Sequence, residues 1–190
     1  MLAEIQRKKF STTEYHRMAE TGIFKEDERL ELIEGVIINI APVGSRHAAC
    51  VARLNQLFVI GIGEKAIVRI RGPFTIGEFS EPEPDILLLE SRNDFYSKAH
   101  PGPEHVFLVV EVSDTTLDYD RNFKIPLYAR AGIREAWIVN LQETYIEVYS
   151  TPSKQGYKML RKYYEGDILT VSSFPDMNIA VDELLADQFE

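Results

Sequence analysis

The sequence predicts a chain of the α/β (α+β) class, a mixed β-sheet flanked by helices with β-hairpins towards the C-terminus. Three observations carry that expectation. Short aliphatic and β-branched runs, cut by Gly and Pro, alternate with segments of helical periodicity. The run Val106 to Val112 (VFLVVEV) is apolar except at Glu111, as suits a central strand covered on both faces. Composition, at 45% hydrophobic and 27% charged, is that of an ordinary folded chain and not of the polar, low-aromatic chains that stay disordered. The 190 residues suffice for one well-buried core and are few for two, so a single domain over 1–190 is expected.

The elements follow in order. Ser11 stands three residues before Glu14, a capping-box spacing, and Tyr15, Met18 and Ala19 continue at helical intervals until Gly22. Leu30 to Ile40 reads as two strands, or one with a bulge, around Gly35. From Ser45 onward Ala48, Val51, Leu54, Leu57 and Phe58 recur every three or four residues and define the clearest amphipathic helix. Ala66 to Ile70, Phe74 to Ile76 and Asp85 to Leu89 are strand-like runs punctuated by Gly72, Pro73, Gly77, Pro82 and Pro84. Asp118 to Ala131 reads as a helix with Phe123, Leu127 and Tyr128 on one side, kinked at Pro126 or beginning its second half there. Ala136 to Val139 with Thr144 to Tyr149, and Lys158 to Tyr164 with Ile168 to Val171, form two expected hairpins. Trp137 and Tyr128 are assigned to the core.

Charge and cysteine content narrow the function. Cys50 is the single cysteine, so an intramolecular disulfide and a cysteine-rich zinc site are both excluded. The N-terminal residues lack a signal-peptide apolar stretch and no window reaches the length of a membrane span, so a cytoplasmic protein is expected. The net charge of −9 opposes loose adhesion to nucleic acid, which is driven by counterion release. It is compatible with carboxylates gathered to hold a metal, and with a local basic groove. The basic residues from Lys154 to Lys162 read as one solvated face of a hairpin, or as a face that meets a phosphate backbone.

Phosphodiester hydrolysis needs carboxylates that hold a hard divalent cation and a positive group that steadies water or developing charge. Asp85 follows Pro84 at the start of an apolar strand, Glu111 lies inside the next, and Glu34 stands on an earlier strand or its edge. If these strands are neighbours, the carboxylates converge. A carboxylate within an apolar run is expensive to bury unless paired or bound to metal, so Glu111 reads as functional, its rival role being a salt bridge to Lys124 or Arg121. Asp85 could instead cap a strand, and Lys124 and His47 could be solvated helix residues.

The segments ELIEG, a helix carrying His47, PEPDILLL, VVEVSD, KIPLYARAGI and EAWIVN occur in the order seen in the Uma2 (DUF820) family, grouped with the PD-(D/E)xK nucleases. The sequence resembles that family from about Phe10 to Leu185. The resemblance implies a restriction-endonuclease-like core and a metal-dependent endonuclease, with Asp85 as the family aspartate, Glu111 as the family glutamate and Glu34 as the acidic residue of the first motif. Ser113 occupies the place of the usual lysine two residues after the glutamate, and Lys124, thirteen residues after Glu111, is the expected replacement. Asp85, Glu111 and Glu34 are thus the expected Mg²⁺ or Mn²⁺ ligands, with Lys124 assisting and His47 orienting phosphate or acting as a base. Nucleic acid, with DNA preferred, is the implied partner, and a homodimer follows by analogy. Two rivals remain: a nuclease fold that only binds, and an enzyme for a small phosphorylated or carboxylated substrate, the latter lacking any Gly-rich phosphate loop or Ser-His-Asp pattern.

Overall fold

The computed structural model describes residues 7–25, 27–40 and 42–185; part of the N-terminal stretch read above for a signal peptide lies outside them. Helix α1 (Thr12–Glu20) opens with the anticipated capping box: Ser11 Oγ accepts from the Glu14 amide at 3.2 Å while Glu14 Oε2 accepts from the Ser11 amide at 2.9 Å. Strands β1 (Leu30–Ile33) and β2 (Val36–Asn39) form an antiparallel hairpin. Its two turn residues, Glu34 (φ 50°) and Gly35 (φ 83°), are both left-handed, the conformation of a two-residue hairpin loop. Helix α2 (Ser45–Ile62) buries Cys50, Val51, Leu54, Phe58 and Ile62; of the expected stripe Val51, Leu54 and Phe58 are buried and Leu57 half-buried, while Ala48 is exposed.

Strands β3 (Ala66–Ile70), β4 (Ile86–Glu90), β5 (Val106–Ser113), β6 (Glu135–Asn140), β7 (Tyr145–Ser153) and β8 (Gly156–Tyr163) form the main sheet in the order β3-β4-β5-β6-β7-β8. Only β5 and β6 run parallel, so only they need a crossover. A continuous helical segment supplies it: α3 (Leu117–Tyr119), a π-helical stretch over Asp120–Lys124, and α4 (Ile125–Arg130). Beyond the sheet, β9 (Ile168–Val171) and β10 (Phe174–Ala180) form a second hairpin before α5 (Val181–Leu185).

Alternation along the strands divides the core in two. Val110, Val112, Trp137 and Val139 face α2, α5 and the β9–β10 hairpin, whereas Leu87, Val109, Ala136 and Ile138 face α4 with Phe74, Ile125 and Tyr128. Register puts Glu111 opposite Ile138, Ile138 opposite Glu147 and Glu147 opposite Lys162, so these four share one face. Ile86 opposes Val110 in the antiparallel β4–β5 ladder, and Asp85, just before β4, accepts from the Val112 amide of β5.

The structure corrects three sequence expectations. Phe74 to Ile76 is not a strand; Ile76 makes an isolated bridge to Ser80, and the prolines at 73, 82 and 84 remove ladder donors around it. The second hairpin is mispaired: β8 pairs with β7 and β9 with β10, because β7 runs through Pro152, paired with Tyr157, instead of ending at Tyr149. Finally, Phe123 is 55% exposed while Asp120 and Lys124 are buried. A π turn holds more residues than an α turn, so the face presented to the core rotates and a lysine takes the inward position. Pro126 begins the second half of the helix, in the first turn of α4, where its missing N–H is tolerated.

Candidate active site

A cavity of about 550 Å³ opens where β5 ends, between the N-terminus of α2, the β1–β2 hairpin and the α3–π segment. Six carboxylates line it (Glu31, Glu83, Asp85, Glu111, Asp114 and Asp120) against the cations Arg29 and Lys124 and one histidine, His47. That balance favours a cation and repels a bare phosphate.

Asp85 is held from two sides. Its Oδ2 accepts from the Val112 amide at 2.9 Å, tying the end of β4 to β5, and lies 2.9 Å from His47 Nε2. Oδ1 has the Arg71 guanidinium at 3.7 Å, beyond hydrogen-bond range. His47 is 9% exposed, so it is no surface residue, and its Nδ1 is buried without a partner.

Glu111 is buried with a sparse set of partners. Tyr128 donates its hydroxyl to Oε1 at 2.5 Å, and the Lys124 ammonium stands 3.3 Å away. Lys124 is closer to Glu31, whose Oε1 it reaches at 2.8 Å and which also accepts from the Glu83 amide at 2.9 Å. Glu31 Oε2 is buried and has no partner. Burial raises the Glu111 carboxyl well above its ordinary value; Lys124 opposes the shift, while Asp120, Asp85 and Glu31 reinforce it. Burial alone would lower Lys124, but the surrounding carboxylates of Glu111, Glu31 and Asp120 outweigh it and hold the ammonium protonated. Asp120 is raised by burial although Lys124 and hydrogen bonds from Ser113 and Thr116, each 2.7 Å, pull the other way.

The structure therefore brings Asp85, Glu111, Lys124 and His47 to one cavity. Glu34 is not with them: it occupies the exposed hairpin turn, where its carboxylate pairs with Arg130 at 2.9 Å. A turn position points away from a strand's buried face, and Glu31, three residues earlier inside β1, takes the place expected for Glu34. The readable signal was the one used for Glu111, a carboxylate inside an apolar run, since Leu30 and Leu32 flank Glu31. The sequence does not mark Tyr128 as a site residue, because a core tyrosine gives no indication of what its hydroxyl meets.

The cavity is rich in the oxygen donors that a hard divalent cation takes. Carboxylate oxygens predominate, one buried oxygen on Glu31 has no partner, and the Glu111 carboxyl lacks enough positive charge to ionise in its ordinary range.

The six-stranded mixed sheet flanked by helices, with an acid-lined cavity and an inward lysine supplied by the crossover helix, defines an α+β protein. The same fold is found in a crystal structure described as a "putative nuclease belonging to DUF820" from Anabaena variabilis ATCC 29413, with a TM-score of 0.75, 15% identity and coverage of 93% of this chain and 97% of that one. No curated protein matches the sequence. Residues 12–182 match the Uma2 family, described as "Putative restriction endonuclease", and the chain belongs to that family. Among the described residues no helix is long and apolar enough to cross a membrane.

Proposed function

We propose that the protein is a divalent-metal-dependent endonuclease that hydrolyses phosphodiester bonds of DNA, as a homodimer able to cut both strands. The observation that carries this reading is one cavity lined by Asp85, Glu111 and Glu31, with Lys124 Nζ 3.3 Å from Glu111 and 2.8 Å from Glu31. Asp85, Glu111 and Glu31 are the residues to hold Mg²⁺ or Mn²⁺. Such an ion, when bound, supplies a Lewis acid and lowers the pKa of coordinated water.

The chain's own groups do the rest. The Val112 amide and His47 fix the Asp85 carboxylate, and the Tyr128 hydroxyl fixes that of Glu111. Lys124 holds Glu31 and Glu111 together and faces the cavity, where its charge offsets the negative charge that accumulates on phosphate oxygens. With six carboxylates around it the cavity repels a phosphodiester, and a divalent ion held there would offset part of that negative charge.

The test is thermal melting of wild type and Asp85→Asn in EDTA and then in Mn²⁺, alongside cleavage of supercoiled and linear DNA. Wild type should gain stability from Mn²⁺ and nick DNA, whereas Asp85→Asn should do neither while melting in EDTA at or above the wild-type temperature. A large loss of stability in EDTA with no metal response in either protein would make Asp85 a structural residue. Metal binding without cleavage would support the non-catalytic binding module.

A further inference from the structure

A second group of metal-ligating side chains lies outside the cavity. His16 on α1, Glu81 before β4 and His100 in the loop before β5 bring one ligand atom each to within 4.8 Å of one another. We propose that these three residues form a binding site for Zn²⁺ or a similar borderline transition ion, which clamps α1 to the body of the protein.

The donors come from three separated segments, and Glu81 is the buried one. Its Oε1 lies 2.7 Å from His16 Nε2 and its Oε2 accepts from the Thr75 hydroxyl at 3.3 Å. A simple His–Glu hydrogen bond explains His16 but not the approach of His100, whose ring centroid is 6.3 Å from that of His16. Two imidazoles and a carboxylate form a zinc donor set that leaves a fourth position open, and both histidines are exposed, so solvent and an entering ion reach the site. It differs in kind from the cavity, where carboxylates predominate and which suits Mg²⁺ or Mn²⁺. Ligands about 2.0 to 2.2 Å from a tetrahedral ion stand roughly 3.3 to 3.6 Å apart, so the His16–Glu81 pair, at 2.7 Å, opens by less than about 1 Å while ligand atoms spread over as much as 4.8 Å close by about as much or a little more.

Helix α1 is where such a clamp has an effect. It has no buried residue and docks through polar contacts: the Thr12 amide to the Glu78 carbonyl at 2.8 Å, the Tyr15 hydroxyl to the Leu30 carbonyl at 3.0 Å, and His16 to Glu81. Glu81 also forms a bridge to Leu32, next to Glu31, so fixing Glu81 braces the strand that carries a cavity carboxylate.

Zn²⁺ titration by calorimetry in excess Mg²⁺, with hydrogen exchange of the α1 amides, tests the proposal on wild type, His16→Ala, His100→Ala and Glu111→Gln. Wild type and Glu111→Gln should each bind Zn²⁺ and protect Thr13 to Glu20 from exchange. Each histidine substitution should weaken Zn²⁺ binding by at least about tenfold and abolish the added protection. His100 is exposed, so its substitution leaves the fold intact and keeps the test decisive if His16→Ala perturbs α1. Absence of Zn²⁺ binding to wild type, binding unaffected by either histidine substitution, or binding lost in Glu111→Gln would overturn the clamp; the last result would put the ion in the cavity. Failure of DNA cleavage has no bearing on it.

Discussion

Two buried glutamates on the same face of the sheet, Glu111 on β5 and Glu147 on β7, separated only by Ile138, have opposite electrostatic characters. Both draw a cation from the same π segment. Arg121 gives Glu147 two hydrogen bonds, 2.9 and 2.8 Å, and Tyr149 adds its hydroxyl at 2.6 Å with Lys162 Nζ at 3.4 Å. Burial pushes Glu147 up, but those partners outweigh it and hold its carboxyl below the ordinary range. Glu111 shares one lysine, at 3.3 Å, with Glu31, and stays above that range. A buried carboxylate with surplus partners serves structure; one left short of positive charge, beside two other carboxylates, is suited to an added cation. Arg121, a candidate salt-bridge partner for Glu111 on sequence grounds, proves to be the partner of Glu147.

The largest expected effect separates the pair by function. Glu111→Gln should weaken Mn²⁺ binding and DNA cleavage by at least about a hundredfold, more than the 10- to 100-fold typical of residues one shell further out. Its melting temperature in EDTA should not fall, since a crowded negative charge is removed. Arg121→Ala should do the reverse, costing about 3 kcal/mol, the low end for a broken buried pair because Lys162 and Tyr149 remain, with metal affinity unchanged. If Arg121→Ala abolishes metal binding at constant stability, the contrast drawn between the two glutamates is wrong.

The pH dependences should run in opposite directions. Glu111 has a folded-state pKa raised above 4.5, so the native chain binds its proton more tightly than the unfolded chain does. Its contribution to apoprotein stability is complete below 4.5 and is lost as pH rises through the folded value. A bound cation competes with that proton, so Mn²⁺ affinity should rise over the same interval. Glu147, lowered from 4.5, contributes stability above that value and loses it as pH falls through the folded one. Melting of Glu111→Gln and Glu147→Gln against pH, in EDTA, checks both signs: the first substitution should flatten the alkaline slope of wild type and the second its acid slope.

The contrast also shows what the sequence disclosed. Glu111 was legible because a strand of alternating faces has no solvent on either side in VFLVVEV, and Asp85 because Pro84 and the following apolar run mark a strand start. Whether a buried acid is over- or under-compensated was not legible, since it depends on which residues of one helix turn inward. The π stretch decides that, placing Lys124 in the core and Phe123 outside, contrary to the regular helical period. The β7–β8 pairing was equally hidden, because it depends on competition between distant strands for partners and not on the turn residues at 165 to 167 alone.

His47→Ala should have an intermediate effect. It removes the 2.9 Å contact that orients Asp85 while leaving the Val112 amide bond in place, so Mn²⁺ affinity should drop by about 10- to 100-fold with no change of fold. Cleavage restored to wild-type rates by higher Mn²⁺ would identify His47 as a positioning residue; a rate that stays low at saturating metal would assign it proton transfer.

The smallest effect lies in the β1–β2 hairpin, where two glutamates three residues apart can be compared directly. Glu31→Gln leaves Lys124 with one carboxylate in place of two and removes a cavity charge, so Mn²⁺ binding should weaken by about tenfold or more. Glu34→Gln touches only the pair with Arg130, whose side chains are 55% and 41% exposed. Exposed ion pairs contribute about 0 to 1 kcal/mol, and salt screens them further. Glu34→Gln should therefore shift the melting temperature by no more than a few degrees and leave Mn²⁺ affinity and cleavage at wild-type levels. Loss of metal binding in Glu34→Gln, with Glu31→Gln unaffected, would mean that the hairpin shifts register on binding and that the turn residue, not the strand residue, reaches the ion. A register shift of that kind moves every side chain of the hairpin, so it would also expose Leu32 and Ile33, now buried, and register as faster hydrogen exchange along β1 when metal is added.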